Sequence, residues 1–210
     1  MLLDAAAELA AEVGAGAVTH RAVAARAGVP LSTTSYFFDS IDDLVTEALR
    51  QVVHERVATF DAAERAFVLA DAELDDALGA AVDAILAQQA GEGGQAEAFL
   101  AAGRNPELQA EVSSIVNRYG ARVAWQLRRI GAARPDDVAW AIVALLDGAM
   151  LQRLAGVEAD HRAGLLRGLR SLLAAAALTD AEVDEVLGRY GGQADLTTGP
   201  MAAGAVPAPG

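Results

Sequence analysis

Residues 18–38 read VTHRAVAARAGVPLSTTSYFF, a stretch with the spacing of a helix-turn-helix. Thr19 suits the cap of a first short helix, because its hydroxyl oxygen can accept from a free backbone N–H group of the first turn. Gly28 is expected to end that helix, because glycine readily adopts the positive φ that a tight turn can require. Ala24 lies four residues earlier and is small enough to let two helices cross closely. Pro30 suits the first turn of the second helix, because its φ is already helical.

This second helix carries a run of hydroxyl side chains: Ser32, Thr33, Thr34, Ser35 and Tyr36. A helix that reads DNA needs short donors and acceptors, because its backbone lies close to base edges and phosphates. The pattern therefore indicates a recognition helix.

The rest of the chain is predicted to be a series of helices without a convincing strand. Apolar residues recur at helical spacing, and glycine, proline and capping residues separate the periods. The stretch GEGGQ at 91–95 is expected to break the chain between two helices. The predicted helices cover about 2–14, 20–27, 30–38, 40–60, 72–90, 96–102, 105–130, 136–155, 160–177 and 179–191. The pattern predicts an all-α protein in which the long helix over 40–60 joins a three-helix head to a larger helical domain.

Composition excludes several classes of protein. The 210 residues include no cysteine and three histidines far apart in sequence, and the formal net charge is −13. Without cysteine there is no disulfide framework and no thiolate site, so the cytoplasm is the expected compartment. Helix capping and the helix macrodipole explain the paired acidic residues, and no phosphate-binding glycine loop is present. The most apolar stretch is too short to span a membrane. We therefore expect no enzyme, cofactor, metal site or membrane partner.

Three stretches together resemble the tetracycline-repressor (TetR) family of bacterial transcriptional regulators. They are LLDAAAEL at 2–9, VTHRAVAARAGV at 18–29 and TTSYFFDSIDDL at 33–44. The resemblance implies that double-stranded DNA is a partner. It also implies which side chains face the DNA: Thr19, Arg21 and Tyr36 contact phosphates, and Leu31, Ser32 and Thr33 contact base edges. The alternatives are that Thr19 only caps its helix and that Tyr36 only packs.

The head departs from the family pattern in its charge. Phe37 stands where the family commonly has histidine, and Asp39 and Ile41 stand where it has basic residues. Residues 1–50 contain three arginines and seven acidic residues, which gives a net charge of −4. Phosphate contacts dominate the affinity for DNA, so these departures predict modest binding. They also leave open a degenerate head on a helical protein that binds a small molecule or another partner.

The resemblance implies that the second half binds a ligand and forms a dimer. It divides the chain into a DNA-binding domain at 1–45, a ligand-binding and dimerisation domain at 46–190, and a disordered tail at 191–210. The expected homodimer contacts are the helices at about 136–155 and 160–177. Residues 138–151 are apolar nearly all round, which independently favours a helix buried on two sides. The alternative is a helix at the centre of a monomer.

The ligand is expected to be a small, largely apolar effector, because pockets are mostly apolar with a few polar groups. Candidate contacts lie on or near the apolar stripes of the second half: Phe99, Asn117, Trp125, Trp140, Asp147 and Met150. Each of them could instead belong to the core. The sequence thus predicts a ligand-responsive regulator, expected to be a repressor, that binds a palindromic operator as a dimer.

Overall fold

The computed structural model describes residues 1–69, 74–87 and 92–191. This part of the chain folds into ten α-helices and one short 3-10 turn, which confirms the all-α prediction. The helices are α1 (Leu2–Val13), α2 (His20–Ala27), α3 (Leu31–Phe37), α4 (Ile41–Leu69), α5 (Leu74–Leu86), α6 (Glu92–Ala102), α7 (Pro106–Arg129), α8 (Pro135–Leu154), α9 (His161–Ala176) and α10 (Asp180–Gly191). No helix within the described ranges is long and apolar enough to cross a membrane. The tail predicted at 191–210 lies, apart from Gly191, outside the described residues.

The helix ends follow the capping chemistry of the sequence. The side chains of Ser40 and Asp160 accept from the backbone N–H groups of Asp43 (3.0 Å) and Ala163 (2.9 Å). Asn105 caps α7, and proline follows it at the first helical position. These side chains satisfy N–H groups that a helix leaves without an intrahelical partner, which explains why the predicted starts are close to the observed ones.

Expectations about three helix boundaries are wrong. First, α4 continues to Leu69, beyond the predicted end at residue 60, while α5 ends at Leu86, before the predicted end at about residue 90. Second, GEGGQ does not separate two helices throughout its length, because α6 already begins at Glu92. A Cβ added at Gly93 would lie 2.9 Å from the Cβ of Ala11, and one at Gly94 would lie 3.3 Å from a methyl group of Val52. Glycine is present here because α6 packs very closely on α1 and α4, and tertiary packing overrides its low helix propensity.

Two apolar cores share α4, α7 and α8. The first core joins the head to the first half of these helices and contains Ala6, Leu9, Leu44 and Leu108. The second core lies among α5, α7, α8 and α9, with Phe67 from the far end of α4 packed against it. A single unbroken helix, α4, therefore extends from the head to the second core. The predicted domain boundary at residue 45 falls inside this helix.

Candidate nucleic-acid interface and ligand cavity

The helix-turn-helix has the local geometry that its sequence predicts. The Thr19 hydroxyl oxygen accepts from the Ala22 backbone N–H at 3.2 Å and caps α2. Gly28 ends α2 with φ 68° and ψ 32°, in the left-handed region that favours glycine. The backbone N–H groups of Gly28 and Val29 donate to carbonyl oxygens in the last turn of α2. These backbone hydrogen bonds fix the direction in which α3 leaves the end of α2.

The side chains predicted to face DNA lie at the start of α2 and along α3. Thr19 and Arg21 are exposed at the start of α2. The other four, Leu31, Ser32, Thr33 and Tyr36, lie on α3. Tyr36 is 82% exposed, so its side chain lies outside the cores that the described residues form. Thr33 is half-buried and the other three are exposed. The placement is compatible with the predicted DNA contacts, whose roles remain predictions.

Thr34 and Phe37 of α3 were not among the predicted DNA contacts. Thr34 is fully buried, and its hydroxyl donates to the Leu31 carbonyl oxygen at 2.8 Å. That hydroxyl is therefore used within α3. The exposed Phe37 ring meets the Tyr36 ring edge to face, with 5.0 Å between the ring centroids. The two rings extend the exposed surface at the end of α3.

Two of the three arginines among residues 1–50 form ion pairs with carboxylates. The Arg26 guanidinium donates to Glu8 at 3.2 Å and to Glu12 at 2.6 Å, and these hydrogen bonds raise the pKa of Arg26. Arg50 is paired with Glu47 and, at 2.5 Å, with Glu111. Within the described part of the head, Arg21 is the arginine without an ion pair. Sequence counting showed the excess of acidic residues but not which of the cations they would neutralise.

A cavity of about 180 Å³ lies in the second core, between α4, α5, α7, α8 and α9. Most of its wall is apolar. Phe60 and Phe67 of α4 face it, as does the apolar stripe of α5, which consists of four residues at helical spacing: Leu74, Leu78, Ala81 and Ile85. The stripe was visible in the sequence, but periodicity does not show whether a stripe faces a packed neighbour or a void.

Three of the polar side chains at the edge of the cavity, Glu64, Arg122 and Gln126, are bonded to one another. Arg122 pairs with Glu64 and, at 2.5 Å, with Asp61, and these contacts raise the pKa of Arg122. The Gln126 amide nitrogen donates to the other Glu64 oxygen at 2.8 Å. Because these groups already have partners, a ligand in the cavity would be held mainly through apolar contacts.

The Tyr119 hydroxyl is a polar group beside the cavity whose hydrogen bonding is incomplete. It is buried and has no hydrogen-bond partner within the described residues, and burial raises the pKa of Tyr119 to about 12. Its ring stacks on Phe60 with 3.9 Å between the centroids, and both residues line the cavity.

Arg56 forms a buried polar cluster next to this wall. Its side chain is 9% exposed and pairs with Asp147 of α8, which is 23% exposed. The guanidinium carbon lies 5.3 Å from the Phe60 ring centroid and 5.8 Å from those of Phe99 and Tyr119. Cation–π attraction and the ion pair together offset the cost of burying this charge.

None of the six predicted ligand contacts lines the cavity. Phe99 and Asp147 meet at Arg56 instead. Asn117 and Trp125 lie on the exposed face of α7, and the Trp125 ring packs against the Arg129 guanidinium. Trp140 is exposed on α8 and Met150 is half-buried there. A ligand role for these six stays a prediction. The cavity residues Ala63, Glu64 and Phe67 of α4 were missed because this helix was predicted to end at residue 60.

Comparison with known proteins agrees with both halves of this arrangement. Residues 2–48 match the model described as bacterial regulatory proteins, tetR family. Residues 69–175 match the model described as tetracyclin repressor-like, C-terminal domain. No curated protein sequence matches the chain.

Several solved structures are similar over most of their length. A member of the TetR family from Streptomyces coelicolor A3 is 31% identical, and the match covers 81% of this chain and 95% of that one, with a TM-score of 0.63. The multidrug binding protein EbrR, complexed with imidazole, is 30% identical over 81% of this chain and 92% of its own, with a TM-score of 0.60. A transcriptional regulator from Rhodococcus sp. Rha1 shares the fold at 23% identity, covering 85% and 97%, with a TM-score of 0.71.

Proposed function

This chain belongs to the tetR family of bacterial regulatory proteins, and from that premise we propose that it is a ligand-responsive repressor that binds a palindromic operator as a homodimer. Family members are non-enzymatic DNA-binding regulators with a ligand-binding C-terminal domain. The observation that carries the proposal is the continuity of α4. Its first turns pack in the core of the head, while Phe60 and Phe67 form a wall of the cavity.

The DNA-binding part of the proposal rests on the exposed surface of α2 and α3. Thr19, Arg21 and Tyr36 would contact phosphates, while Leu31, Ser32 and Thr33 would contact base edges. In a dimer, two such heads would enter major grooves about one helical turn, or a multiple of one turn, apart. The protein would therefore act in the cytoplasm, where bacterial DNA lies.

The dimer part rests on an apolar face that the described residues leave uncovered. Val138, Ile142 and Val143 of α8 are buried, while Trp140 on the same helix is 73% exposed. Within the described residues, a Cβ added at Gly148 of α8 or at Gly164 of α9 would meet no atom within 4 Å. A second copy of the chain could cover this face and approach closely at the two glycines. The contact helices proposed from sequence, 136–155 and 160–177, correspond to α8 and α9.

The proposed effector is a small, largely apolar molecule bound in the cavity. A dry apolar cavity of about 150 Å³ in another protein takes up benzene, so a space of this size suits a single ring or a short branched chain. The relative EbrR has been solved with imidazole and with proflavin, which supports a small organic ligand here. The bonded polar edge favours a ligand without a strong charge.

The regulation would be a shift between two populations of the dimer. The effector would bind better to a form in which α4 holds the two heads at a spacing that does not fit the operator. By linkage, operator DNA then weakens effector binding by the same factor, and a coupling of about 1–3 kcal/mol is typical of such systems.

Selection of bound fragments from random or genomic DNA tests the DNA-binding proposal directly. We expect one palindromic sequence to be enriched, and Tyr36→Phe to weaken binding to all sequences. Failure to retain any fragment above non-specific background at low salt would contradict DNA binding.

A cavity-filling variant tests the effector site. Small apolar compounds that raise the melting temperature should also release the operator. Ala81→Phe should abolish both effects while leaving DNA binding intact, because Ala81 lines the cavity. Ala121→Phe, on the exposed face of α7, serves as the control and should keep both responses. Compounds that bind without changing operator affinity would refute regulation but not the ligand site.

One observation favours a second candidate function, a ligand-binding or partner-binding protein with a degenerate DNA-binding head. Of the three arginines among residues 1–50, Arg26 and Arg50 are held by carboxylates, which leaves few cations for phosphates. Reversing the charge of Asp39 and comparing the affinities for specific and scrambled DNA distinguishes the two functions.

A further inference from the structure

The side chains that α3 exposes lack the usual hydrogen-bonding groups for reading purines. Leu31, Ser32, Ser35, Tyr36 and Phe37 are exposed, and Thr33 is half-buried. None of the seven residues of α3 is arginine, lysine, asparagine or glutamine. Paired hydrogen bonds to guanine need arginine or lysine, and those to adenine need asparagine or glutamine. The helix therefore cannot make either kind of paired contact.

The hydroxyl groups of α3 give little discrimination between bases. Thr34 is buried and its hydroxyl is bonded to the Leu31 carbonyl oxygen at 2.8 Å. Ser32 and Thr33 remain on the first turn, where recognition helices contact base edges. A hydroxyl both donates and accepts, so it is compatible with more than one base.

Leu31 is the apolar side chain on that first turn, and it is 46% exposed. It is the first residue of α3 and follows Pro30, whose ψ of 145° holds the chain extended just before the helix. In the major groove, the apolar group that a base presents at its edge is the C5-methyl group of thymine. Contact between the two would remove both apolar groups from water.

We infer that Leu31 contacts the C5-methyl group of a thymine in each half-site, and that α3 selects its operator by this contact instead of by paired hydrogen bonds to purines. The inference rests on the proposed DNA-binding function and identifies the base chemistry that this head recognises. Leu31 is then the specificity-determining residue, while Arg21 and Tyr36 position the helix on the phosphates.

Replacing single thymines by deoxyuridine tests the contact, because only the methyl group is lost. The probe is the duplex enriched by selection, with each thymine replaced in turn in both half-sites. We expect about fourfold weaker binding per half-site at one position, the effect of one buried methyl group. Leu31→Ala should bind the thymine and deoxyuridine duplexes equally. Leu187→Ala, at an exposed leucine of α10, is the matched control and should keep the difference.

A second arm tests the absence of paired purine contacts. Substituting 7-deazaguanine removes the N7 acceptor, and we expect less than a threefold loss at every guanine of the half-site. A tenfold loss there, or equal affinity of the unmodified protein for all thymine and deoxyuridine duplexes, would overturn the inference while DNA binding stands. If no sequence is enriched at all, the proposed function is overturned and this inference with it. The deoxyuridine comparison on the unmodified protein holds even if Leu31→Ala is unstable.

Discussion

Gly28 is required by the conformation of the turn and not by a lack of space. Its φ of 68° lies in the left-handed region, and a Cβ added there would meet no heavy atom within 4 Å among the described residues. Residues with a Cβ are strained in this region by about 1–2 kcal/mol. The orientation of α3 relative to α2 therefore depends on the one residue type that adopts this turn without strain.

We expect Gly28→Ala to lower the free energy of unfolding by about 1–2 kcal/mol. Gly120→Ala is the matched control, because Gly120 also has open space around it but lies inside α7. This control should raise the stability by about 0.5–1 kcal/mol, since alanine is the better helix former. Urea unfolding followed by circular dichroism measures both changes. A neutral Gly28→Ala would show that the turn does not need a left-handed residue.

Asp39 is an exposed acidic residue just before α4. The family places cations near this point, so Asp39 would face DNA phosphates with a like charge. Asp39→Lys should tighten operator binding without changing sequence preference, because phosphate contacts position the protein and do not specify sequence. The slope of log affinity against log salt should steepen by roughly 0.9 per added phosphate contact. Adding Ile41→Lys would also disturb packing, because Ile41 packs against the first core.

Asp76→Lys, at the start of α5 and remote from the head, serves as the control for charge alone. Affinity is measured on specific and scrambled DNA across a salt series. A specificity ratio that exists in the native protein and survives in Asp39→Lys supports a regulator of modest affinity. Equal gains on both DNAs from an undetectable starting point would support the degenerate head instead.

Among the helices that both cores share, α4 is the one that begins in the head. Arg56 lies near its midpoint and is tied to Asp147 of α8 and to the aromatic wall of the cavity. Because this charge is nearly buried, removing its partner leaves it uncompensated. The pair therefore fixes the position of α4 against α8 at the level of the cavity.

We expect Asp147→Asn to lower the free energy of unfolding by about 3 kcal/mol, because it leaves the buried Arg56 charge without its partner. Replacing both members, as in Arg56→Met with Asp147→Leu, should recover most of the loss. Asp83→Asn is the control, since Asp83 pairs with Arg162 at 2.6 Å on the exposed surface. An exposed pair is worth less than about 1 kcal/mol. Similar losses for Asp147→Asn and Asp83→Asn in denaturant titrations would refute this role for Arg56.

For the molecule as a whole, the proposed dimer predicts different outcomes at two exposed tryptophans. Trp140 of α8 is 73% exposed and Trp125 of α7 is 51% exposed. A buried interface tryptophan typically contributes about 2 kcal/mol or more, so Trp140→Asp should weaken the dimer by at least roughly thirtyfold. Operator binding should fall with it, because the palindrome needs two heads.

Sedimentation velocity over a concentration series measures the dimer constant of each variant. Trp125→Asp, with the same change of side chain on the other helix, should remain dimeric. The interface would lie elsewhere if Trp125→Asp dissociates while Trp140→Asp does not.

The helices, their caps and the helix-turn-helix could be predicted from the sequence. Thr19, Gly28, Ser40, Asn105 and Asp160 act through backbone groups within a few residues of themselves, so local sequence is sufficient. Helical periodicity is local in the same sense, and it revealed the apolar stripe of α5. The family resemblance also came from contiguous stretches of the chain.

The tertiary structure alone decided where the cavity lies and which charges are neutralised. A cavity is a space left between helices that are distant in sequence, so the apolar stripe of a single helix does not predict it. The six ligand contacts chosen from sequence fall outside the cavity. The helical glycines of α6 depend on close packing against Ala11 and Val52. The pairing of Arg26 with Glu12 and of Arg56 with Asp147 likewise depends on how separate helices meet. Local patterns fix the elements because capping and periodicity act over a few residues, whereas the cavity and the ion pairs depend on packing over the whole chain.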